Sequence, residues 1–216
     1  MMGLALLADV REPLVLCLGA HCDDIEIGCA GTLLTLAERH PTLAMHWVVF
    51  TGAGEREAET RAAAARLVPR ASRITVEVHP LPSSWLPAHW SEAKQIMEGV
   101  RKRCQPHVVF THRLEDRHQD HRTVAELTWN SFRDHVVLEY EIAKYEGDLG
   151  QPNLYVPLAR RVAEAKVETL MQCFPTQRHL DWFDADTFNG LMRLRGVECR
   201  APERFAEAFH ARKMIL

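Results

Sequence analysis

Hydrophobic positions fall into short solid blocks separated by longer amphipathic stretches. Residues 14–19 (Leu-Val-Leu-Cys-Leu-Gly) form an unbroken apolar run, the pattern of a strand covered on both faces. Further strands are predicted at 45–51, at 74–78, where β-branched side chains stand at Ile74, Val76 and Val78, and at 107–111. Helical patterns occupy 28–39, 55–67, 90–104 and 122–132; the second is rich in alanine and charge, with Pro69 just past its end. Pro80, Pro82, Ser83, Ser84 and Pro87 mark a loop. Later in the chain, 136–145 alternates in part and is read as a strand, 147–153 as a loop, 154–157 as a short strand, and 159–173, 181–195 and 203–213 as helices. Strands alternating with helices predict an α/β fold, a Rossmann-like, mostly parallel sheet flanked by helices. In the common order 3-2-1-4-5, strands one and four are neighbours at the topological switch point. No repeat, low-complexity tract or linker divides the chain, so residues 1–216 are read as a single domain.

Composition narrows the function. Hydrophobic content of 47% and charged content of 25% fit a globular protein, and a net charge of −3 gives no basic face for nucleic acid. No apolar stretch is long enough to span a bilayer. The first residues hold a short apolar run broken at Asp9 and Arg11, without the basic lead or cleavage site of a signal peptide. Six cysteines without a CxxC pair are expected as free thiols in a reducing cytoplasm. The oligomeric state, homo-oligomer included, is left open by the sequence.

Two clusters carry the chemistry, each directly after a predicted strand. The first is His21-Cys22-Asp23-Asp24, the second His118-Gln119-Asp120-His121, with Asp116 just before it. His21 and Asp24 are three apart, as are His118 and His121, so each pair points to similar sides of a helical turn. A hydrolytic zinc takes three ligands from His, Asp or Glu and keeps one place for water; His21, Asp24 and His121 supply such a set. Asp23, beside a ligand but pointing elsewhere, is then available as a base. His118 is suited to donate to an oxyanion or to protonate a leaving amine, and Asp120 to orient one of the imidazoles. Taken alone, either aspartate would be read as a helix cap; the two clusters together favour a metal. Asp116 and Asp120 could instead complete a second metal site, as in a phosphoesterase, and a closed four-ligand site would mean a non-catalytic binding module. Gly52-Ala-Gly54 lacks the third glycine of a dinucleotide loop. Cys22 is read as a small filler residue. Trp85, Trp90, Tyr140 and Tyr145 are candidates for sugar stacking, and Arg56 and Arg61 for an anionic group, against equally ordinary packing or surface roles.

These motifs resemble the PIG-L/LmbE-like family of metal-dependent N-deacetylases, which act on N-acetylglucosaminyl conjugates. The family's His-Pro-Asp-Asp and glycine-spaced Gly-Thr-Leu stand here as His21-Cys22-Asp23-Asp24 through Gly28, Gly31, Thr32 and Leu33, and its His-x-Asp-His as His118–His121. Gln172–Gln177, Arg195-Gly196 and Glu207-Ala-Phe look like its C-terminal pattern. Cys22 replaces the usual proline and Ala30 a usual glycine; neither removes a ligand. The resemblance implies Zn2+ on His21, Asp24 and His121, with Fe2+ or another divalent metal an alternative. It further implies Asp23 as general base, and His118 stabilising the tetrahedral intermediate with support from Asp120. The implied substrate is a small N-acetylated amino-sugar compound that releases acetate.

Overall fold

The computed structural model describes residues 6–68 and 73–215. Pro69, read above as a helix stop, lies outside them. Five strands run parallel: β1 (Leu14–His21), β2 (Ala44–Thr51), β3 (Arg73–Val78), β4 (Val108–His112) and β5 (Val136–Tyr140). Two more, β6 (Leu154–Leu158) and β7 (Phe205–Ala211), complete one sheet of order β3-β2-β1-β4-β5-β7-β6. The expected 3-2-1-4-5 order is thus present and extended by two strands. β7 lies between β5 and β6, antiparallel to both.

Side-chain alternation along the central strands divides the interior into two layers. On β1, Val15 and Cys17 face one layer, and Leu16, Leu18 and Ala20 the other; on β2, Met45, Trp47 and Val49 oppose Val48 and Phe50. The first layer is covered by α1 (Asp24–Arg39), α2 (Glu55–Leu67), α5 (Arg160–Cys173) and α6 (Ala185–Glu198). The second is covered by α3 (Trp90–Arg103) and α4 (Gln119–Ser131). Both faces are therefore buried, which is why the strands read as solid apolar runs. Among the described residues, no helix is long and apolar enough to cross a membrane.

Two expectations are corrected. α1 begins at Asp24, four residues before the predicted start at 28, because the site acids themselves form its first turn. The stretch 203–213, read as a helix, holds strand β7. Its true period is two: Phe205, Glu207, Phe209 and Ala211 point to the α1 layer, and Ala206 to the other face. Glu207 and the flanking charges masked that alternation. Smaller differences are a shorter fifth strand, ending at Tyr140, and a start of α6 at Ala185 rather than 181.

Candidate metal centre

β1 and β4 pair directly, and their following helices leave to opposite layers. The crevice above their C-terminal ends is the switch point where ligands bind in such sheets. Both clusters meet there. His21 ends β1, Asp24 opens α1, and His121 stands in the first turn of α4. His21 Nδ1 lies 3.2 Å from His121 Nε2. Asp24 turns one oxygen to each ring, Oδ2 at 3.4 Å from His21 Nδ1 and Oδ1 at 3.4 Å from His121 Nε2. Asp24 Oδ2 also accepts the His21 backbone N–H at 2.6 Å, which closes the turn between strand and helix.

The outer nitrogen of each ring is held by a carboxylate. His21 Nε2 is 3.1 Å from Asp120 Oδ2, and His121 Nδ1 is 3.0 Å from Asp116 Oδ2. With those nitrogens donating, His21 Nδ1 and His121 Nε2 present lone pairs to the Asp24 carboxylate. The two imidazole nitrogens are 3.2 Å apart, and each is 3.4 Å from a different oxygen of Asp24. A tetrahedral ion with bonds of about 2.0–2.1 Å has ligand–ligand edges of about 3.3 Å. The two imidazole nitrogens stand at the length of such an edge, with the Asp24 carboxylate beside both, and nitrogen and oxygen donors of this kind suit a small divalent cation. Electrostatics agree. Burial would lower the His21 pKa, but Asp24, Asp120 and Asp23 outweigh it and push it up to about 10. Burial would raise Asp24, but His121, His112 and His21 hold it well below the usual carboxylate range. The cluster draws positive charge.

Two other histidines lie close by. Ligand-forming atoms cluster as His21–His118–His121 and as Asp24–His112–His121. His112 Nε2 accepts the Ala20 N–H at 3.0 Å and also lies 3.1 Å from Asp24 Oδ2, and its ring stacks on His121 with centroids 3.9 Å apart. Burial and the neighbouring His121 push His112 down to about 4, so it packs as a neutral ring. His118 caps α4: its Nδ1 accepts the Asp120 N–H at 3.2 Å, which leaves the hydrogen on Nε2, and the residue lines the open cavity. Burial, His121 and His21 push it down to about 4.

Asp23 occupies the N-cap position of α1 but makes no capping bond. Its Oδ2 instead lies 3.2 Å from Arg56, at the cavity wall. Burial raises its pKa, Arg56 opposes this and Asp24 adds to it, leaving it pushed up to about 6. Arg56 also donates to Glu59 at 2.9 Å and to Thr176 at 3.0 Å. Of the two arginines considered, Arg56 thus belongs to the site, whereas Arg61 pairs with Glu57 on an exposed face. Cys22 is buried with its thiol pushed up to about 11, chiefly by burial, as a filler residue should be.

Asp120 supports His21 rather than His118, and also accepts the Ser84 and Leu86 N–H groups at 2.6 and 3.0 Å. Asp116 supports His121, accepts the His118 N–H at 2.8 Å and pairs with buried Lys144 at 3.1 Å. Sequence reasoning gave Lys144 no role and Asp116 only a second-metal role. The signal it had was position alone: Asp116 lies five residues before His121, within reach of the outer ring nitrogen. The cavity, about 740 Å³, is lined on this side by Tyr145, Trp182, Leu180 and buried Ile142. Tyr145 is on the rim as the stacking reading required, while Tyr140 is fully buried and donates to the Leu18 carbonyl at 2.6 Å.

Comparison with known proteins gives one family and several folds. The model of the PIG-L family, described as GlcNAc-PI de-N-acetylase, matches residues 16–132. Among solved structures, the 4-carboxy-2-hydroxymuconate hydratase GalB from Pseudomonas putida KT2440 is similar at a TM-score of 0.74 and 20% identity, over 94% of this chain and 98% of that one. The N,N'-diacetylchitobiose deacetylase from Pyrococcus horikoshii matches at 0.69 and 19%, over 96% and 88%. A zinc-inhibited form of teicoplanin deacetylase Orf2 matches at 0.70 and 13%, over 92% and 97%. At these identities the structures share the fold.

Proposed function

Because the chain belongs to the PIG-L family, we propose that it is a metal-dependent N-deacetylase acting on the acetamide of an amino-sugar-containing compound. His21, Asp24 and His121 would hold the cation, zinc by preference, although nitrogen and oxygen ligands also suit iron(II). The observation that carries this reading is the meeting of His21 and His121, 3.2 Å apart, over the Asp24 carboxylate, with a second carboxylate, Asp23, held beside them by Arg56. A divalent ion bound there would lower the pKa of a water and polarise the amide carbonyl.

The chain's own residues do the rest. Asp23 takes a proton from the attacking water as its oxygen bonds to the carbonyl carbon. Arg56, at 3.2 Å, keeps Asp23 ionised and aimed at the cavity. His118 offers Nε2–H to the oxyanion of the tetrahedral intermediate, where a preorganised donor is worth most. An amine leaves poorly without a proton, so Asp23 returns its proton to nitrogen as the C–N bond breaks. The products are acetate and the free amine. Tyr145 and Trp182, on the rim, suit the apolar face of a sugar ring.

The rival readings find less support. Asp116 and Asp120 are fully engaged on the outer sides of the histidines, so neither is available for a second metal. A purely structural site has no use for Asp23. Six unpaired cysteines support a reducing, cytoplasmic setting. The test is acetate release from a panel of N-acetylated sugars and sugar conjugates, run with metal-stripped and zinc-restored protein. Metal-dependent acetate from at least one member is expected. Hydration of an unsaturated acid without acetate release from any member would overturn the reading.

A further inference from the structure

Helix α1 carries Asp24 in its first turn, and one turn further on it is gripped from outside. Lys166 of α5 and Glu207 of β7 form an ion pair at 2.6 Å, each about 4% exposed or less. Lys166 Nζ also donates to the Ile27 carbonyl at 2.6 Å. The Glu207 carboxylate accepts the Gly31 N–H at 2.9 Å and the Thr32 N–H at 2.6 Å. In a regular helix the Ile27 carbonyl and the Gly31 N–H belong to the same hydrogen-bonded step. Here each touches one half of the ion pair.

Side chains around the grip leave no slack. A Cβ at Gly31 would stand 2.6 Å from Leu158 and 3.1 Å from Glu207, and one at Gly28 would stand 2.4 Å from the Tyr140 ring. Ile27 is three residues from Asp24, a rise of about 4.5 Å along the helix. A slide or rotation of α1 at the grip therefore moves the Asp24 carboxylate relative to His121 by a similar amount, and ligand distances tolerate only a few tenths of an ångström. Burying two charges is a poor way to gain stability, since apolar residues of the same volume often serve as well; fixing register is the better-attested use.

We infer that the Lys166–Glu207 pair is a positioning device that sets the placement of Asp24 by holding the backbone of α1 at Ile27, Gly31 and Thr32. This rests on the reading of Asp24 as a metal ligand, and the test separates the two. Glu207→Gln, Lys166→Met and the double variant are compared with wild type by circular dichroism and thermal melting. Zn2+ affinity is measured against a chromogenic chelator, and the visible spectrum of the Co2+-loaded protein is recorded. Glu38→Gln is the control, because Glu38 joins α1 to Arg161 of α5 through an exposed pair.

Folded Glu207→Gln should bind Zn2+ about tenfold more weakly, with an altered Co2+ spectrum; outer-layer changes cost 10–100-fold as a rule. Lys166→Met should do the same, the double variant should be no worse than the weaker single, and Glu38→Gln should match wild type. Wild-type affinity and spectrum in folded Glu207→Gln would overturn the inference. So would failure of both single variants to fold, which would make the pair a requirement of folding. Failure of the underlying reading looks different: Asp24→Ala would then bind Zn2+ as wild type does.

Discussion

The two histidines that face each other across the site are steadied in different ways. His21 leans on Asp120, whose oxygens are also tied to the backbone of the loop at Ser84 and Leu86. His121 leans on Asp116, which is itself held by Lys144, a side chain of the segment after β5. Lys144 in turn grips Asp148 at 2.7 and 2.9 Å. The carboxylate behind His21 is tied to two main-chain groups; the one behind His121 is tied to one, the His118 N–H, and to a chain of charges ending in a cavity-lining loop. The His21 side should therefore be the stiffer, and the His121 side the one that feels what happens at the rim.

Removing a ligand from either side should erase the difference. His21→Ala and His121→Ala should each reduce metal content after dialysis to background, measured by atomic emission. Metal retained by either variant would break the symmetry assumed between them. Next in size, Asp23→Asn leaves both sides intact and should keep the metal while losing on the order of 10²–10⁴ in kcat. With Asp23 pushed up to about 6, activity should fall as pH drops through that value. Arg56 opposes that rise, so Arg56→Met should move the acid limb of the pH–rate profile to higher pH; a limb that stays in place would separate Arg56 from Asp23.

The sharper contrast comes from the outer carboxylates. Asp120→Asn and Asp116→Asn should each weaken metal binding about 10–100-fold. Asp120→Asn should cost the more, because it weakens two main-chain anchors, Ser84 and Leu86, where Asp116→Asn weakens one, His118. Equal losses in chelator competition would mean that the backbone ties add nothing. Smallest of all, Lys144→Met should change metal affinity a few-fold but raise KM as well, since Lys144 lines the cavity and Tyr145 follows it. A change confined to affinity would detach the loop from the His121 side.

How much of this was legible beforehand depends on whether the cause was local. The central parallel strands announced themselves because both faces of each are covered, and edge strand β3 through its β-branched Ile74, Val76 and Val78. The motif spacing offered His21, Asp24 and His121 as one set, and the folded chain brings the three side chains together, each imidazole 3.4 Å from an oxygen of Asp24. The start of α1 was placed late because either aspartate alone reads as a helix cap, whereas Asp24 turns to the histidines and opens the helix while Asp23 turns to an arginine. Lys144 was illegible because it acts on Asp116 across 28 positions. Strand β7 was missed because Glu207 and His210 interrupt an apolar alternation, and the reason for a buried glutamate lies on α1, far away in sequence.

The place of β7 bears on the order in which this protein can be made. The half of the sheet that carries both histidine motifs is synthesised first. β6, however, joins the sheet only through β7. Until β7 emerges, β5 is an open edge with unpaired backbone groups, a template for joining other chains. A nascent chain stalled before residue 205 would thus be the species most exposed to self-association, and co-translational pelleting assays should find it there.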